Sequence, residues 1–250
     1  RFNCAIAVGN GRILTSYNKQ ALPNYGVFNE KRFFTAGAEL GILHWKKKDI
    51  ALTVCEDIWE TKVSLRLARM ISASRVDMIV NISASPYQYN KTEQRREIAR
   101  SFSLKAGAPL IYANLFGATD QLVFDGDCFI IDGNEATLKE TIPFLNIKNR
   151  DRADNSQKDS DTKHVWQELE VYNALQTALK DYIGKNGFKK VIFGLSGGLD
   201  SGLVGLIAAD ALGIENVSAL IMPTAYSSDE TQSDAENMAL ALDIDYKVVP

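Results

Sequence analysis

Short apolar runs and helically spaced apolar positions alternate along the first 145 residues of the chain. The short runs stop at turn-forming residues and predict strands at Cys4–Val8, Ile13–Tyr17, Ile50–Cys55, Asp77–Ile82, Leu110–Asn114 and Leu122–Asp132. The helical spacing predicts helices over Thr61–Ser74 and Thr92–Ala106. In the second helix the polar positions include Arg95, Arg96 and Arg100.

The stretch Asn146–Lys163 breaks this pattern because it is polar, charged and nearly free of apolar residues. Such a run cannot pack a core and predicts a linker or an exposed loop. We therefore expect one domain over residues 1–145, a linker over 146–164 and a second domain over 165–250.

The segment after the linker predicts a helix at Trp166–Tyr182, followed by alternating strands and helices. These are the strand Val191–Leu195, the helix Gly202–Leu212, the strand Val217–Met222, the helix Asp229–Leu242 and the strand Ile244–Val249. This order is typical of a doubly wound parallel sheet.

A loop with two adjacent glycines, Phe193–Ser201, joins the first of these strands to its helix. Glycines let the backbone turn sharply and approach a phosphate, and the following helix presents unpaired N–H groups and the positive end of its dipole. Asp200 would repel a bare phosphate, which indicates a divalent cation. The loop contains neither GxxxxGK[ST] nor GxGxxG. The alternative is a tight strand-to-helix turn without a ligand.

Cys55 ends a hydrophobic strand and precedes a helix. A buried cysteine is often an inert packing residue, but a strand-to-helix elbow exposes a side chain above the sheet, where a helix N-terminus stabilises a thiolate. Glu56 and Asp57 would raise the pKa of the thiol. A nearby lysine would offset them, and Lys19 is the candidate.

Composition excludes several classes of protein. The chain of 250 residues has 46% hydrophobic and 24% charged residues, as an ordinary globular protein has. The net charge of −3 gives no basic stripe, so we expect no nucleic-acid partner. Three widely spaced cysteines and two distant histidines argue against a disulfide framework, a zinc site or Ser-His-Asp catalysis. Since no membrane-spanning stretch or signal peptide is visible, we expect a cytoplasmic protein without a membrane partner.

The Ser-Gly-Gly-Leu-Asp-Ser loop resembles that of the ATP pyrophosphatase family, which cleaves ATP between the α and β phosphates and adenylates a substrate. The resemblance implies an adenine nucleotide α-hydrolase-like domain, and Mg²⁺ held through Asp200 and the phosphates. It implies that Met222 contacts the adenine, together with ATP contacts from Gly194, Leu195, Ser196, Gly197, Gly198, Leu199, Asp200 and Ser201.

The segments around Lys19–Phe28, Cys55–Trp59 and Asn81–Lys91 resemble the nitrilase-type glutaminase domain of glutamine-dependent NAD synthetases. The resemblance implies a partial αββα sandwich, in which Cys55 is the nucleophile and Lys19 stabilises the oxyanion. It implies glutamine contacts from Tyr25, Glu56, Ser85 and Lys91. The segment Asp120–Gly126 is also similar, although Gln121 replaces the expected glutamate.

In that family the general base is a glutamate upstream of the lysine, whereas the first glutamate of this sequence, Glu30, follows Lys19. We therefore assign no residue as the base. We expect that the sequence is truncated at both ends, and that these 250 residues alone have no glutaminase turnover.

The resemblance implies that the intact enzyme hydrolyses glutamine and, with ATP, amidates nicotinic acid adenine dinucleotide to NAD. These small molecules are the expected partners, together with further copies of the chain in a homo-oligomer. Two alternatives remain open. One is an amidotransferase with another acceptor, and the other is a chain whose nitrilase part is a non-catalytic scaffold.

Overall fold

The computed structural model describes residues 1–132, 138–142, 160–223 and 229–249. The chain separates into two compact units. The first comprises Arg1–Phe116 and Phe124–Arg150, and the second comprises Gly117–Val123 and Asp151–Pro250.

Most elements up to residue 142 belong to the first unit. The helices are α1, Thr61–Ser74, and α2, Lys91–Ala106. The strands are β1 Cys4–Gly9, β2 Arg12–Asn18, β3 Gly41–Trp45, β4 Lys48–Val54, β5 Met78–Ser83, β6 Leu110–Asn114, β7 Phe116–Thr119, β8 Leu122–Asp125, β9 Cys128–Ile131 and β10 Leu138–Ile142. Strands β7 and β8 form a separate hairpin, whose residues Gly117–Val123 group with the second unit.

A mixed sheet in the order β10-β9-β6-β5-β4-β3 forms the centre of the first unit, and β4, β5 and β6 are parallel to one another. Alternate residues of β4 pack into cores on opposite faces of the sheet, because side chains of a strand alternate with a period of two residues. Ala51 packs with α1 and α2, whereas Ile50 and Leu52 pack with β1 and β2. The sheet therefore lies between a helical layer and the β1–β2 hairpin.

Helix α2 differs from its expected amphipathic pattern, because Arg95 is fully buried and Arg96 is nearly so. Arg95 pairs with Asp125, and Arg96 pairs with Asp127 at 3.0 Å. A buried guanidinium needs such a partner to offset the loss of hydration. The partners lie about thirty residues away in sequence, beyond the reach of a helical pattern.

One strand prediction was wrong in detail, and one strand was not predicted. The predicted strand Leu122–Asp132 is two strands, β8 and β9, because Gly126 and Asp127 adopt left-handed conformations with φ of 70° and 36°. Strand β3 escaped the pattern analysis because its hairpin with β4 turns at Lys46 and Lys47, with φ of 46° and 63°. Such turns favour Asn-Gly, and a lysine pair gives no turn signal.

The second unit confirms the predicted alternation of strands and helices. Its elements are α3 Ser160–Lys185, β11 Val191–Gly194, α4 Leu199–Leu212, β12 Val217–Ile221, α5 Asp229–Ala241 and β13 Asp245–Val248. The strands form a parallel sheet in the order β11-β12-β13. Helix α3 begins inside the stretch that we assigned to the linker, and residues 146–159 of that stretch lie outside the described residues.

Cys4, Cys55 and Cys128 are all free thiols. Within the described ranges, each helix is too short or too polar to cross a lipid bilayer.

Two leucines of α1 provide a test of the core. Leu67 is fully buried against the sheet, whereas Leu65 is 38% exposed. We expect Leu67→Ala to lower the free energy of unfolding of the first unit by about 2–5 kcal/mol, and Leu65→Ala by about 1 kcal/mol or less. Urea unfolding followed by circular dichroism measures both. Equal losses would contradict this packing of α1.

Candidate active site

The carboxyl ends of the parallel strands gather the candidate residues of the first unit. Cys55 follows β4, Ser83 ends β5, and Asn114 ends β6. Val54 is in register with Ile82, and Ser83 is in register with Asn114. Ligands of α/β sheets bind at this edge, so the strand register brings these residues together.

Cys55 lies at a sharp elbow. Its φ of 42° is in the left-handed region, and a 3₁₀ turn, Cys55–Ile58, follows directly. Residues other than glycine rarely adopt this conformation, and it persists only where the surroundings enforce it. The surrounding structure therefore holds the elbow in this conformation.

Beside this elbow lies a cavity of about 290 Å³, lined in part by Cys55, Lys19, Glu30, Phe28 and Ser83. Only 2% of Lys19 is exposed, and its ammonium lies 2.6 Å from the Glu30 carboxylate. The volume suits a small polar substrate. The structure thus brings together the predicted nucleophile and the predicted lysine.

Opposing effects act on the Cys55 thiol. Burial raises its pKa above the ordinary value, the Lys19 ammonium lowers it, and the Glu56 carboxylate raises it. Hydrogen bonds from the backbone of Ala84 and the side chain of Ser83 also lower it. Lys19 and Glu56 therefore act on the pKa of the thiol in opposite directions.

Glu30 is a charged residue of the cavity lining to which the sequence assigned no role. It was set aside because it follows Lys19 in the chain. Its backbone N–H donates to the Pro23 carbonyl at 3.0 Å, and the Asn3 side chain donates to its carboxylate at 3.3 Å. These contacts fold the loop back so that Glu30 meets Lys19, eleven residues earlier.

Tyr25 and Glu56 form a pair. The Tyr25 hydroxyl donates to both carboxylate oxygens of Glu56, at 2.9 and 3.0 Å. Burial and this hydrogen bond raise the pKa of Tyr25 to about 12. Burial also raises the pKa of Glu56, whereas Tyr25, Lys19 and Lys91 lower it. Tyr25 itself is 58% exposed, so the pair lies at the surface of the first unit.

Lys91 begins α2, and its ammonium lies 5.7 Å from the centre of the Trp59 ring. Burial and the Arg95 charge lower its pKa, whereas Cys55 and Glu56 raise it. Lys91 is thus close enough to interact electrostatically with both candidate residues of the elbow.

Ser85 is held by a buried network. The Arg95 guanidinium donates to the Ser85 hydroxyl at 3.1 Å and to the carbonyls of Ser85 and Pro86 at 3.0 and 2.9 Å. Asn114 accepts from the Ser85 N–H at 2.9 Å and donates to Asp125 at 3.1 Å. The buried arginine therefore fixes the loop that follows β5.

The candidate phosphate loop of the second unit follows β11. The hydroxyls of Ser196 and Ser201 lie 3.0 Å apart, and the Gly198 N–H donates to the Ser196 hydroxyl at 3.3 Å. Gly197 has φ of 83°, and a Cβ there would lie 2.4 Å from the Thr231 carbonyl oxygen. Glycine is therefore required at position 197, both for its conformation and for space.

Helix α4 begins at Leu199 and not at Gly202 as expected, so Asp200 and Ser201 occupy its first turn. Asp200 is exposed there. Met222, 57% exposed, follows β12, and a Cβ on Gly194 would lie 3.5 Å from its Cε. The predicted nucleotide residues therefore share one edge of the parallel sheet. Among the described residues, no group of three His, Cys, Asp or Glu could hold a metal ion.

Comparison with protein families gives two matches. Residues 2–142 match the carbon-nitrogen hydrolase family, and residues 171–250 match the NAD synthase family.

Full-length relatives extend these matches. The chain is 35% identical to the glutamine-dependent NAD(+) synthetase of Thermotoga maritima over an alignment of 288 residues, which covers all of the chain and 49% of the relative. It is 33% identical to the synthetase of Aquifex aeolicus, covering all of the chain and 50% of that relative. The chain thus spans about half the length of these curated relatives.

Two solved structures have the same fold. The glutamine-dependent NAD+ synthetase of Acinetobacter baumannii, in complex with ADP, gives a TM-score of 0.84 at 30% identity, with 100% of the chain and 47% of that structure covered. The synthetase of Cytophaga hutchinsonii gives 0.76 at 20% identity, covering 99% of the chain and 49% of that structure. Together the matches confirm the resemblance and the α/β fold class.

The charges around Cys55 predict opposite effects of two substitutions. Lys19→Met should move the pH midpoint of Cys55 alkylation upward by about 1–3 units, because the thiolate loses a neighbouring cation while Glu30 remains. Glu56→Gln should move the midpoint downward. Iodoacetamide labelling across a pH series, with peptide mapping to separate the three cysteines, measures both. Coincident midpoints in all three proteins would exclude these charges as determinants of thiol acidity.

Proposed function

This chain belongs to the carbon-nitrogen hydrolase family, and on that premise we propose that the protein takes ammonia from glutamine and uses it, with ATP, to convert nicotinic acid adenine dinucleotide into NAD. The observation that carries the proposal is the cavity shared by Cys55, Lys19 and Glu30, in a chain that also holds the loop of Ser196 and Gly197.

The glutaminase reaction begins with the Cys55 thiolate, whose sulfur attacks the side-chain amide carbon of glutamine. A C–S bond forms, and the C–N bond breaks as the amide nitrogen takes up the proton that the thiol released and leaves as ammonia. Lys19 stabilises the negative charge on the amide oxygen, and Glu30 keeps the lysine in place through its 2.6 Å contact. Water then cleaves the thioester, which releases glutamate and restores the thiol.

Two opposite charges near the elbow are complementary to the α-ammonium and α-carboxylate groups of glutamine. The Glu56 carboxylate, held by Tyr25, is complementary to the α-ammonium group. The Lys91 ammonium is complementary to the α-carboxylate, and Ser85 supplies a fixed polar group. Matching both charges at once favours a free amino acid over an uncharged amide.

ATP would bind at the loop of the second unit, where the N-terminus of α4 and the glycine backbone favour phosphate groups. There the carboxylate of the acceptor attacks the α-phosphate, pyrophosphate leaves, and ammonia then displaces AMP to form the amide. Exposed Asp200 fits a Mg²⁺ ion held by one carboxylate and substrate phosphates. The ion would neutralise phosphate charge, and Met222 would contact the adenine.

The proposal extends to the setting of the enzyme. Three free thiols suit a reducing, cytoplasmic compartment, and a net charge of −3 suits small-molecule partners better than nucleic acid. Assembly into a homo-oligomer follows from the family resemblance.

The complete protein with Mg-ATP and nicotinic acid adenine dinucleotide tests both halves of the proposal. With ammonium, NAD and AMP should appear in equal amounts by chromatography. Cys55→Ala should abolish the glutamine-dependent reaction and leave the ammonium-dependent one, because only the first needs the thiolate. Cys128→Ala, outside the cavity lining, is the matched control. The absence of AMP with this acceptor would point to a different acceptor, and a fully active Cys55→Ala would make the first unit a scaffold.

Gly197→Ala tests the phosphate loop. The added Cβ meets the Thr231 carbonyl and disfavours the φ of 83°, so we expect synthesis from either nitrogen source to fall about 100-fold. Gly184→Ala is the matched control, since a Cβ there meets nothing within 4 Å and no left-handed φ is required. Synthesis by Gly197→Ala at the wild-type rate would exclude the loop from nucleotide binding.

A further inference from the structure

One buried carboxylate connects the two segments that carry the candidate nucleophile and lysine. Asp57 is fully buried, two residues after Cys55. Its Oδ1 accepts from the backbone N–H groups of Gln20 and Ala21, at 2.9 and 2.8 Å. Its Oδ2 accepts from the Val54 N–H at 2.9 Å and from the Tyr17 hydroxyl at 2.8 Å.

The backbone donors to Asp57 come from the two segments that carry Lys19 and Cys55. Gln20 and Ala21 directly follow Lys19, whereas Val54 directly precedes Cys55. Each carboxylate oxygen therefore takes its backbone donors from one side of the cavity. Any shift of the segment 19–21 against the elbow must stretch one of these hydrogen bonds, which is costly because the carboxylate is buried.

A purely local role does not account for this geometry. Capping the 3₁₀ turn needs only the Val54 N–H, three residues away. The other three donors lie 36 to 40 residues earlier in the chain. A cap alone would not require them.

We propose that Asp57 is a positioning residue, which holds Lys19 against Cys55 by bonding both of their backbone segments with a single carboxylate. The inference deepens the proposed function, since glutamine turnover would depend on this alignment. The alignment itself can be measured without glutamine.

Substitution by asparagine separates positioning from charge. Asparagine offers one acceptor oxygen, and its amide nitrogen would face the backbone N–H donors of one segment. That segment must then move. Loss of a negative charge alone would lower the pKa of a nearby thiol, whereas withdrawal of Lys19 would raise it. The two explanations therefore predict opposite signs.

The pKa of the Cys55 thiol depends on several neighbouring groups, so its alkylation midpoint must be compared with the midpoints of reference variants. Its electrostatic neighbours are Lys19, Glu56, Tyr25, Lys91 and Tyr112. Lys19→Met defines the shift for complete loss of the lysine. Asp127→Asn is the matched control, because Asp127 is also a buried carboxylate, but its partner is Arg96 at 3.0 Å.

The experiment measures the pH midpoint of Cys55 alkylation by iodoacetamide in the complete protein. We expect Asp57→Asn to raise the midpoint by about one unit, toward the Lys19→Met value, while Asp127→Asn stays at the wild-type midpoint. An unchanged or lowered midpoint in folded Asp57→Asn would overturn the proposal, as would an equal rise in Asp127→Asn.

Tyr17→Phe decides the matter if Asp57→Asn does not fold. It keeps the carboxylate and its three backbone donors and removes only the hydroxyl. Because Oδ2 loses one of its two donors, the carboxylate holds the elbow less firmly, and we expect a smaller rise of the midpoint in the same direction. No rise in this variant would then overturn the proposal.

Glutamine turnover in the same samples distinguishes this proposal from the proposed function. If Asp57 only positions the pair, kcat should fall about 10-fold or more in Asp57→Asn, with little change in KM. If the wild-type protein releases no ammonia, the proposed function fails, and the alkylation midpoints still decide the role of Asp57.

Discussion

Parallel pairing of β4, β5 and β6 is the constraint from which the candidate active site follows. It brings the carboxyl ends of three strands to one edge, so the elbow at Cys55, the loop at Ser85 and the side chain of Asn114 become neighbours. Helices α1 and α2 cover one face of this sheet and the β1–β2 hairpin covers the other. The segment after β2 then contributes Lys19 from the side opposite the helices.

Polar side chains in and around this cavity are held in close pairs, of which Lys19–Glu30 and Arg95–Asp125 are largely buried and Tyr25–Glu56 lies at the surface. Lys19 faces Glu30, Tyr25 faces Glu56, and Arg95 faces Asp125. Water cannot stabilise the Cys55 thiolate here, because the thiol is buried and burial raises its pKa. Its acidity depends instead on where the neighbouring charges are held. Hence the polar scaffold behind the site, including Asp57 and Arg95, matters as much to the proposed chemistry as the residues that line the cavity.

The proposed nucleotide site of the second unit uses backbone groups instead of paired side-chain charges. Gly197 allows the turn and the close approach to α5, and the first turn of α4 supplies N–H groups with Asp200 beside them. As in the first unit, the candidate site lies at the carboxyl ends of parallel strands, since this loop follows β11. A flexible, exposed phosphate chain suits such a backbone cradle, whereas an amide to be hydrolysed requires a sheltered nucleophile.

Sequence alone determined the features that depend on neighbouring residues. The helix Thr61–Ser74, the strand Leu110–Asn114, the elbow position of Cys55 and the glycine loop at Ser196–Ser201 are all set by local periodicity and turn chemistry. The tertiary structure decided the burial of Arg95, the contact of Glu30 with Lys19, and the four donors of Asp57. Each of these joins residues that are distant in sequence, and a charged side chain shows in its local pattern only that it is polar. Whether it is solvated or buried depends on a partner that the folded chain supplies.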